Sequence, residues 1–210
     1  MVYLGELSPI NPDGTNLTVQ CIRGADLSHW SGVVDWPAVR KSGAVQFAIA
    51  KCTEGLDFKD SQYNNNLEGC FEQGIPFAAY HFYRHNGEPI KQAKWFANNC
   101  NLPSGSLLVC DVETTIAKTL AQINATDRVE FVNSLSSLAR DVVAFCTQIE
   151  EMGYTPLIYT SPSFAKSYLQ DERLACWDLW IANVQTNQPT IPAPWAQFGA
   201  WPDNKHVPLW

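Results

Sequence analysis

Short apolar runs rich in β-branched or aromatic residues recur along the chain, separated by segments with helical periodicity. Seven such runs are found, at 22–28, 45–52, 76–83, 106–112, 155–160, 178–184 and 195–199. Near-continuous apolar strands that alternate with helices are typical of a parallel sheet covered on both faces. Seven strands favour an α/β fold of the TIM-like β/α-barrel type over an open doubly wound sheet. The phosphate-binding motif GxGxxG, which would favour the open sheet, is absent from the sequence.

Three segments between these runs are predicted to be helices. They cover 35–42, 61–73 and 128–152, and each is followed by a glycine suited to the left-handed position that ends a helix. The longest has apolar residues at steps of three and four, which indicates a stripe that packs on the sheet. Ser161 before Pro162 predicts a further helix start.

One barrel domain is expected at 24–210, preceded by an irregular arm or linker at 1–23. The last predicted strand leaves only a short segment that ends in Val207–Trp210, so the closing strand of the barrel is expected to be reduced or to lie in a longer native protein. An incomplete parallel barrel exposes unpaired backbone groups at its edges. We therefore expect the edge beside 22–28 to be covered by residues 1–21, by the terminal residues or by a neighbouring molecule.

The charge and cysteine content restrict the partners and the compartment. A net charge of −7 and an isoelectric point near 5.0 argue against nucleic acid. The sequence has neither an apolar run long enough for membrane insertion nor a recognisable signal peptide at its start. Seven cysteines form an odd number without CxxC pairs, which favours reduced core thiols. We expect a monomer made in a reducing cytosol.

A buried apolar strand ends in two acids, Asp111 and Glu113. The period of two along a strand sends both side chains to one face, and the adjacent Cys110 to the other. Two carboxyl groups close together push one pKa upward, which leaves a protonated acid beside an ionised partner, as glycosidic cleavage requires. Asp26 ends the first predicted strand at the same face. Taken alone, these acids could equally cap the following helices, bind a surface cation or form an Asx turn.

The ordered series of motifs resembles the family 25 glycoside hydrolases, the lysozymes or muramidases. The series is DLSHW at 26–30, AKCTEG at 50–55, AYHFY at 79–83, DVE at 111–113, LIYT at 157–160 and LWIA at 179–182. The resemblance covers about 24–199 and implies a β/α barrel that cleaves the β-1,4 bond after N-acetylmuramic acid in bacterial peptidoglycan. It implies Glu113 as the acid/base, with Asp111 and Asp26 as its acidic partners. A phage endolysin made in the cytosol and released through a membrane hole would fit this activity. The family pattern usually continues to a closing strand with a further Asp, whereas this chain stops soon after 195–199.

Other side chains at strand ends are candidates for binding the sugar. Aromatic rings could stack on sugar faces, and two polar side chains could hydrogen-bond to hydroxyl or acetamido groups; these candidates are Tyr80, Phe82, Tyr159, Trp180, Glu54 and Gln197. Each aromatic residue taken alone could instead be core, because the chain is rich in them. The four histidines lack zinc-site spacing, so neither a metal nor a cofactor is expected, and His81 is interpreted as a hydrogen-bonded barrel residue.

Three functions remain open from the residues. In the first, Glu113 protonates the leaving oxygen while an ionised Asp111 stabilises positive charge at the sugar or orients its acetamido group. In the second, the chain is a non-catalytic wall-binding module of a phage particle. In the third, it is a barrel glycosidase acting on chitin or another polysaccharide. Retention or inversion depends on the separation of the carboxyl groups and also stays open.

Overall fold

A computed structural model describes residues 2–4, 22–85, 88–113, 125–182 and 201, of which 2–4 and 125–134 are described by their backbone alone. Its strands are β1 (Val2–Leu4), β2 (Ile22–Leu27), β3 (Phe47–Glu54), β4 (Phe58–Lys59), β5 (Phe77–Phe82), β6 (Leu107–Asp111), β7 (Thr155–Thr160) and β8 (Asp178–Ile181). Its α-helices are α1 (Trp36–Ser42), α2 (Tyr63–Glu72), α3 (Pro89–Asn99), α4 (Ala125–Glu151) and α5 (Pro162–Tyr168), and two 3-10 turns cover His29–Ser31 and Glu172–Cys176.

The strands form one sheet in the order β1-β2-β3-β5-β6-β7-β8, with β4 paired to β3. Along this order all neighbours from β2 to β8 are parallel, while the short β4 pairs antiparallel with β3, and the parallel strands confirm the predicted α/β class. In a flat sheet β2 and β8 would stand about 24 Å apart, since strands are spaced by about 4.8 Å. Asp26 of β2 and Trp180 of β8 nevertheless line one small pocket, so the sheet is curled into a half-barrel. The predicted strand at 195–199, expected to be the last before the closing strand, lies outside the described residues.

Alternation along the strands separates two cores. Inside the curl, one cluster joins Phe47, Ile49, Ala78, Val109, Leu157 and Trp180. Outside it, Leu108 and Cys110 pack with Phe96 of α3 and Phe145 of α4. Cys110 therefore faces the helices and is fully buried there, as predicted, while Asp111 faces the inside of the curl. The six parallel strands match six of the seven predicted runs.

Two of the helices begin or end at the capping residues predicted for them. The Asp35 carboxylate accepts from the Ala38 amide at 3.0 Å at the start of α1, and Gly43 ends that helix with φ 62°. The Ser161 hydroxyl accepts from the Phe164 amide at 3.3 Å at the start of α5, with Pro162 at the first helical position. Such caps satisfy amides that have no partner within the helix. The helix α3 was not predicted.

Strand β1 pairs antiparallel with the start of β2, with Val2 opposite Gly24 and Leu4 opposite Ile22. The expectation that residues 1–21 cover this edge is confirmed for this stretch. The division at residue 24 into an arm and a barrel domain stays a prediction, although β2 already begins at Ile22. Glycine at position 24 also allows the Phe47 ring of β3 to pack directly on the backbone of β2, because a Cβ atom there would lie 2.2 Å from that ring.

Six of the seven cysteines fall in the described residues. Cys52, Cys70, Cys100, Cys110 and Cys146 are buried thiols, and Cys176 is exposed. Burial raises the pKa of Cys70 to about 12, which keeps this thiol protonated and unreactive. The prediction that the cysteines lie in the apolar core is confirmed for the five buried ones. None of the described helices is long and apolar enough to cross a membrane.

Thiol titration of the unfolded chain should find at least these six cysteines free. The reason is that each is a free thiol in the fold, and five are shielded from oxidants by burial. The measurement is a reaction with a thiol reagent in denaturant without reductant, against a fully reduced sample as the control. Three disulfides would contradict both this result and the prediction of synthesis in a reducing cytosol.

Candidate active site at the carboxyl end of the sheet

A small pocket opens inside the curl at the carboxyl end of the parallel strands. It brings together six side chains from five strands and the residues that follow them: Asp26, Tyr80, Asp111, Glu113, Tyr159 and Trp180. All six were predicted site residues. The carboxyl end of parallel strands is also where β/α-barrel enzymes place their catalytic groups.

Asp111 is the most buried acid of the pocket, with 6% of its surface exposed. Its Oδ1 atom has no hydrogen-bond partner among the residues that the structure describes. Burial raises the pKa of Asp111 well above its usual value, and the charges of Glu113 and Asp26 raise it further. Burial therefore favours the protonated form of Asp111 in the folded chain.

Glu113 lies two residues further on, where the chain has left β6, and it is more exposed than Asp111. Partial burial and the nearby charge of Asp26 raise its pKa, while a hydrogen bond with Tyr159 lowers it. Burial also raises the pKa of Asp26. Asp111 and Glu113 interact closely enough that their titration belongs to the pair and not to either residue alone.

The aromatic walls of the pocket are fixed in position. Tyr159 and Trp180 pack edge to face with ring centres 4.6 Å apart. Burial and the surrounding acids raise the pKa values of Tyr80 and Tyr159, which keeps both phenols protonated. Their hydroxyl groups can therefore donate hydrogen bonds to a carboxylate or to a sugar oxygen.

Lys51 was missed in the sequence, although it lies beside the acids. Only 9% of its surface is exposed, and its Nζ donates to Glu54 Oε2 at 2.5 Å. The ammonium also lies 5.0 Å from the centre of the Phe82 ring. Its charge lowers the pKa values of both Asp111 and Glu113, against the larger effect of burial. The sequence offered one indication of a role for Lys51, because a charged side chain is unusual inside a largely apolar strand.

Glu54 and Phe82 lie beside the pocket and do not line it. Glu54 is paired with Lys51 and Arg84. Burial opposes the ionisation of Glu54, but the hydrogen bonds from both cations outweigh it and hold its pKa below the usual value. The Phe82 ring lies between the same two cations, with the Arg84 guanidinium 4.8 Å from its centre. Direct sugar contact by these two residues stays a prediction, and Gln197 lies outside the described residues.

His81 is a buried, hydrogen-bonded residue, as predicted, and its ring lies on the helix-facing side of the sheet beside Phe96 and Phe145. Its Nδ1 atom is 2.8 Å from Thr53 Oγ1, and its Nε2 atom is 3.1 Å from Gln92 Oε1. Burial lowers its pKa to about 4, so the ring is neutral at pH 7. Within the described ranges, no cluster of three His, Cys, Asp or Glu side chains could hold a metal ion.

Replacing Lys51 with Met should move the pH–activity profile to higher pH. Methionine keeps an aliphatic stem but removes the positive charge that stabilises the ionised forms of Asp111 and Glu113, so both pKa values should rise. The measurement is kcat/KM against pH. Lys91→Met is a matched control, because Lys91 pairs with Glu88 on the surface of α3. A profile that stays in place or moves to lower pH would contradict this role of Lys51.

A curled parallel sheet backed by helices, with clustered carboxyl groups at the carboxyl ends of its strands, is the arrangement of the β/α-barrel glycoside hydrolases. The family model described as "Glycosyl hydrolases family 25" matches residues 25–203. The chain therefore belongs to glycosyl hydrolase family 25.

Individual relatives agree with this assignment. The chain is 31% identical to the autolytic lysozyme of Clostridium acetobutylicum, over 84% of this chain and 49% of that protein. It is 27% identical to lysozyme M1 of Streptomyces globisporus, over 86% of this chain and 60% of that protein. The crystal structure of the bacterial lysozyme from Streptomyces coelicolor superposes with a TM-score of 0.64 at 27% identity, over 86% and 81% of the two chains. The chain thus spans about half to three fifths of the length of the two sequence relatives.

Proposed function

We propose that this chain is a muramidase that hydrolyses the β-1,4 glycosidic bond between N-acetylmuramic acid and N-acetylglucosamine in bacterial peptidoglycan. The observation that carries the proposal is the pocket in which Asp26, Asp111 and Glu113 meet. Glycosidic cleavage usually depends on a pair of carboxyl groups, one of which is protonated while the other is ionised. Membership of family 25 supports peptidoglycan as the substrate.

Glu113 is the proposed acid/base. It lies at the open side of the pocket, within hydrogen-bonding reach of Tyr159, and so can meet the glycosidic oxygen of a polymer bound across the mouth. It donates its proton to the leaving oxygen as the bond to the sugar carbon breaks. The resulting carboxylate then accepts a proton from the water that completes the hydrolysis.

Asp111 is the proposed partner that stabilises positive charge developing at the sugar or orients its acetamido group. Before substrate binds, the deeper burial of Asp111 favours the proton on Asp111 over Glu113. A bound sugar removes water from Glu113 and so raises its pKa, which favours transfer of the shared proton to Glu113. Asp26 adds a further negative charge to this balance.

The test compares reducing ends released from purified peptidoglycan and from chitin. Release from peptidoglycan alone is expected, with N-acetylmuramic acid at the new reducing ends. Release from chitin at a similar rate would favour a glycosidase of wider specificity. Binding to peptidoglycan without release of reducing ends would identify a non-catalytic wall-binding module instead.

A further inference from the structure

Three rings form a partly exposed surface beside the pocket, and we call His29, Trp30 and Phe58 the aromatic platform. Trp30 is 86% exposed and Phe58 is 39% exposed. His29 and Trp30 belong to the 3-10 turn that follows β2, and Phe58 begins β4 just after β3. The platform therefore lies at the same carboxyl edge of the sheet as the acids. Exposed aromatic groups of this kind mark interaction sites more often than isolated surface residues do.

The central ring of the platform is held in place by a buried carboxylate. Asp60 Oδ2 accepts from the His29 amide at 3.0 Å and lies 2.6 Å from His29 Nδ1, while Oδ1 accepts from the Gln62 amide at 2.9 Å. The side chain of Asp60 is fully buried. The His29 ring lies 4.7 Å from the Trp30 ring and 5.9 Å from the Phe58 ring, measured between centres. This part of the surface is consequently ordered before any ligand arrives, which lowers the entropic cost of binding.

The platform is linked to the acidic pocket through Lys51. The Lys51 ammonium lies 5.3 Å from the centre of the Phe58 ring, and the same charge acts on Asp111 and Glu113. The charge of Asp60 also contributes to the raised pKa of Tyr80, a residue that lines the pocket. A polymer that occupies the pocket can therefore extend over the platform on the side of β2 and β3.

We propose that the aromatic platform is an additional sugar-binding subsite, which stacks on the apolar face of a pyranose ring one or more units away from the bond that is cut. The inference rests on the proposed function, which supplies the polymer. The small size of the surface argues for this occupant, because a stable protein partner would need about 800 Å² on each side. Two exposed rings cover far less, whereas they match the face of a single sugar.

The experiment measures binding of peptide-free glycan fragments to the Glu113→Gln chain, which is expected to hold substrate without cutting it. Calorimetry compares a disaccharide with an octasaccharide of the same repeating unit. Trp30→Ala and, as a second variant, Phe58→Ala are each expected to weaken octasaccharide binding by about tenfold, the worth of one stacked ring. Disaccharide binding at the pocket is expected to stay unchanged. Phe71→Ala is the matched control, because Phe71 on α2 is 85% exposed and outside the platform.

Unchanged octasaccharide binding in both platform variants would overturn the proposal. Equal weakening of both fragments would also overturn it, since the rings would then act on the pocket itself. So would weakening seen only with fragments that carry peptide stems, because the platform would then bind peptide. If the platform variants behave as expected while the unmodified chain releases no reducing ends from peptidoglycan, the subsite stands and the proposed hydrolysis fails. If no fragment binds at all, both fail.

Discussion

Replacing Glu113 with Gln is expected to abolish hydrolysis of peptidoglycan, with a loss of turnover of about 10²- to 10⁴-fold. Glutamine keeps the size and shape of the side chain, and its amide can still contact Tyr159, but it cannot deliver a proton to the leaving oxygen. The measurement is the rate of reducing-end release, together with a melting curve that shows the fold is intact.

Glu72→Gln is the matched control for this substitution, because Glu72 is an exposed glutamate at the end of α2. It removes the same charge at a distance from the pocket and should leave the rate unchanged. Lytic activity of Glu113→Gln near that of the unmodified chain would remove Glu113 from the mechanism.

Replacing Asp111 with Asn should lower turnover by about 10²- to 10³-fold while sugar binding is kept or improved. The charge of Asp111 matters most when positive charge develops at the sugar, so its loss affects the transition state more than the bound substrate. Turnover and binding are measured separately, by single-turnover kinetics and by calorimetry. Weaker binding with unchanged turnover would contradict this role.

The same substitution should stabilise the fold at neutral pH. The folded-state pKa of Asp111 is raised by burial, so the folded chain binds more protons than the unfolded chain once the pH exceeds the ordinary value of about 4. Stability is therefore lost as the pH rises through the folded-state pKa, and Asn removes that loss. We expect the melting temperature at pH 7.5 to rise by roughly 2–4 °C for each kcal/mol recovered, with little change at pH 4. Equal melting temperatures at pH 7.5 would show that the buried charge costs nothing.

Much of the site could be predicted from the sequence, because it depends on local periodicity. The apolar run at 106–112 fixed the strand, and the period of two then placed Asp111 and Glu113 on one face and Cys110 on the other. Parallel strands end at a common edge, which is why Asp26 could be expected near these acids although it is far away in the sequence, whereas Tyr159 was expected there only from the family resemblance. All of these residues except Cys110 line the pocket.

The features that were missed depend on tertiary contacts. Helix α3 buries the polar Gln92, which obscures its amphipathic pattern. The Gln92 side chain is needed there, because it accepts from the Arg84 amide at 2.9 Å and donates to the Arg84 carbonyl at 2.7 Å. The role of Lys51 likewise could not be predicted, because it depends on Glu54, Phe58 and Phe82, which only the fold brings close to its ammonium. The sequence left three ways to cover the sheet edge at β2: residues 1–21, the terminal residues or a neighbouring molecule. The pairing of β1 with β2 was therefore only one of the alternatives.

The order of the strands in the sheet has a consequence for how the protein is made. From β2 to β8, every parallel strand adds beside the one synthesised before it, apart from the short β4 at the side. The sheet can therefore grow by successive docking as the chain leaves the ribosome, since each new strand finds its edge already present. The pocket cannot be completed in the same gradual way, because its walls run from Asp26 to Trp180. A nascent or truncated chain that ends before β8 would carry all three acids without the enclosure that raises their proton affinity, so the proposed hydrolysis would require synthesis to have passed β8.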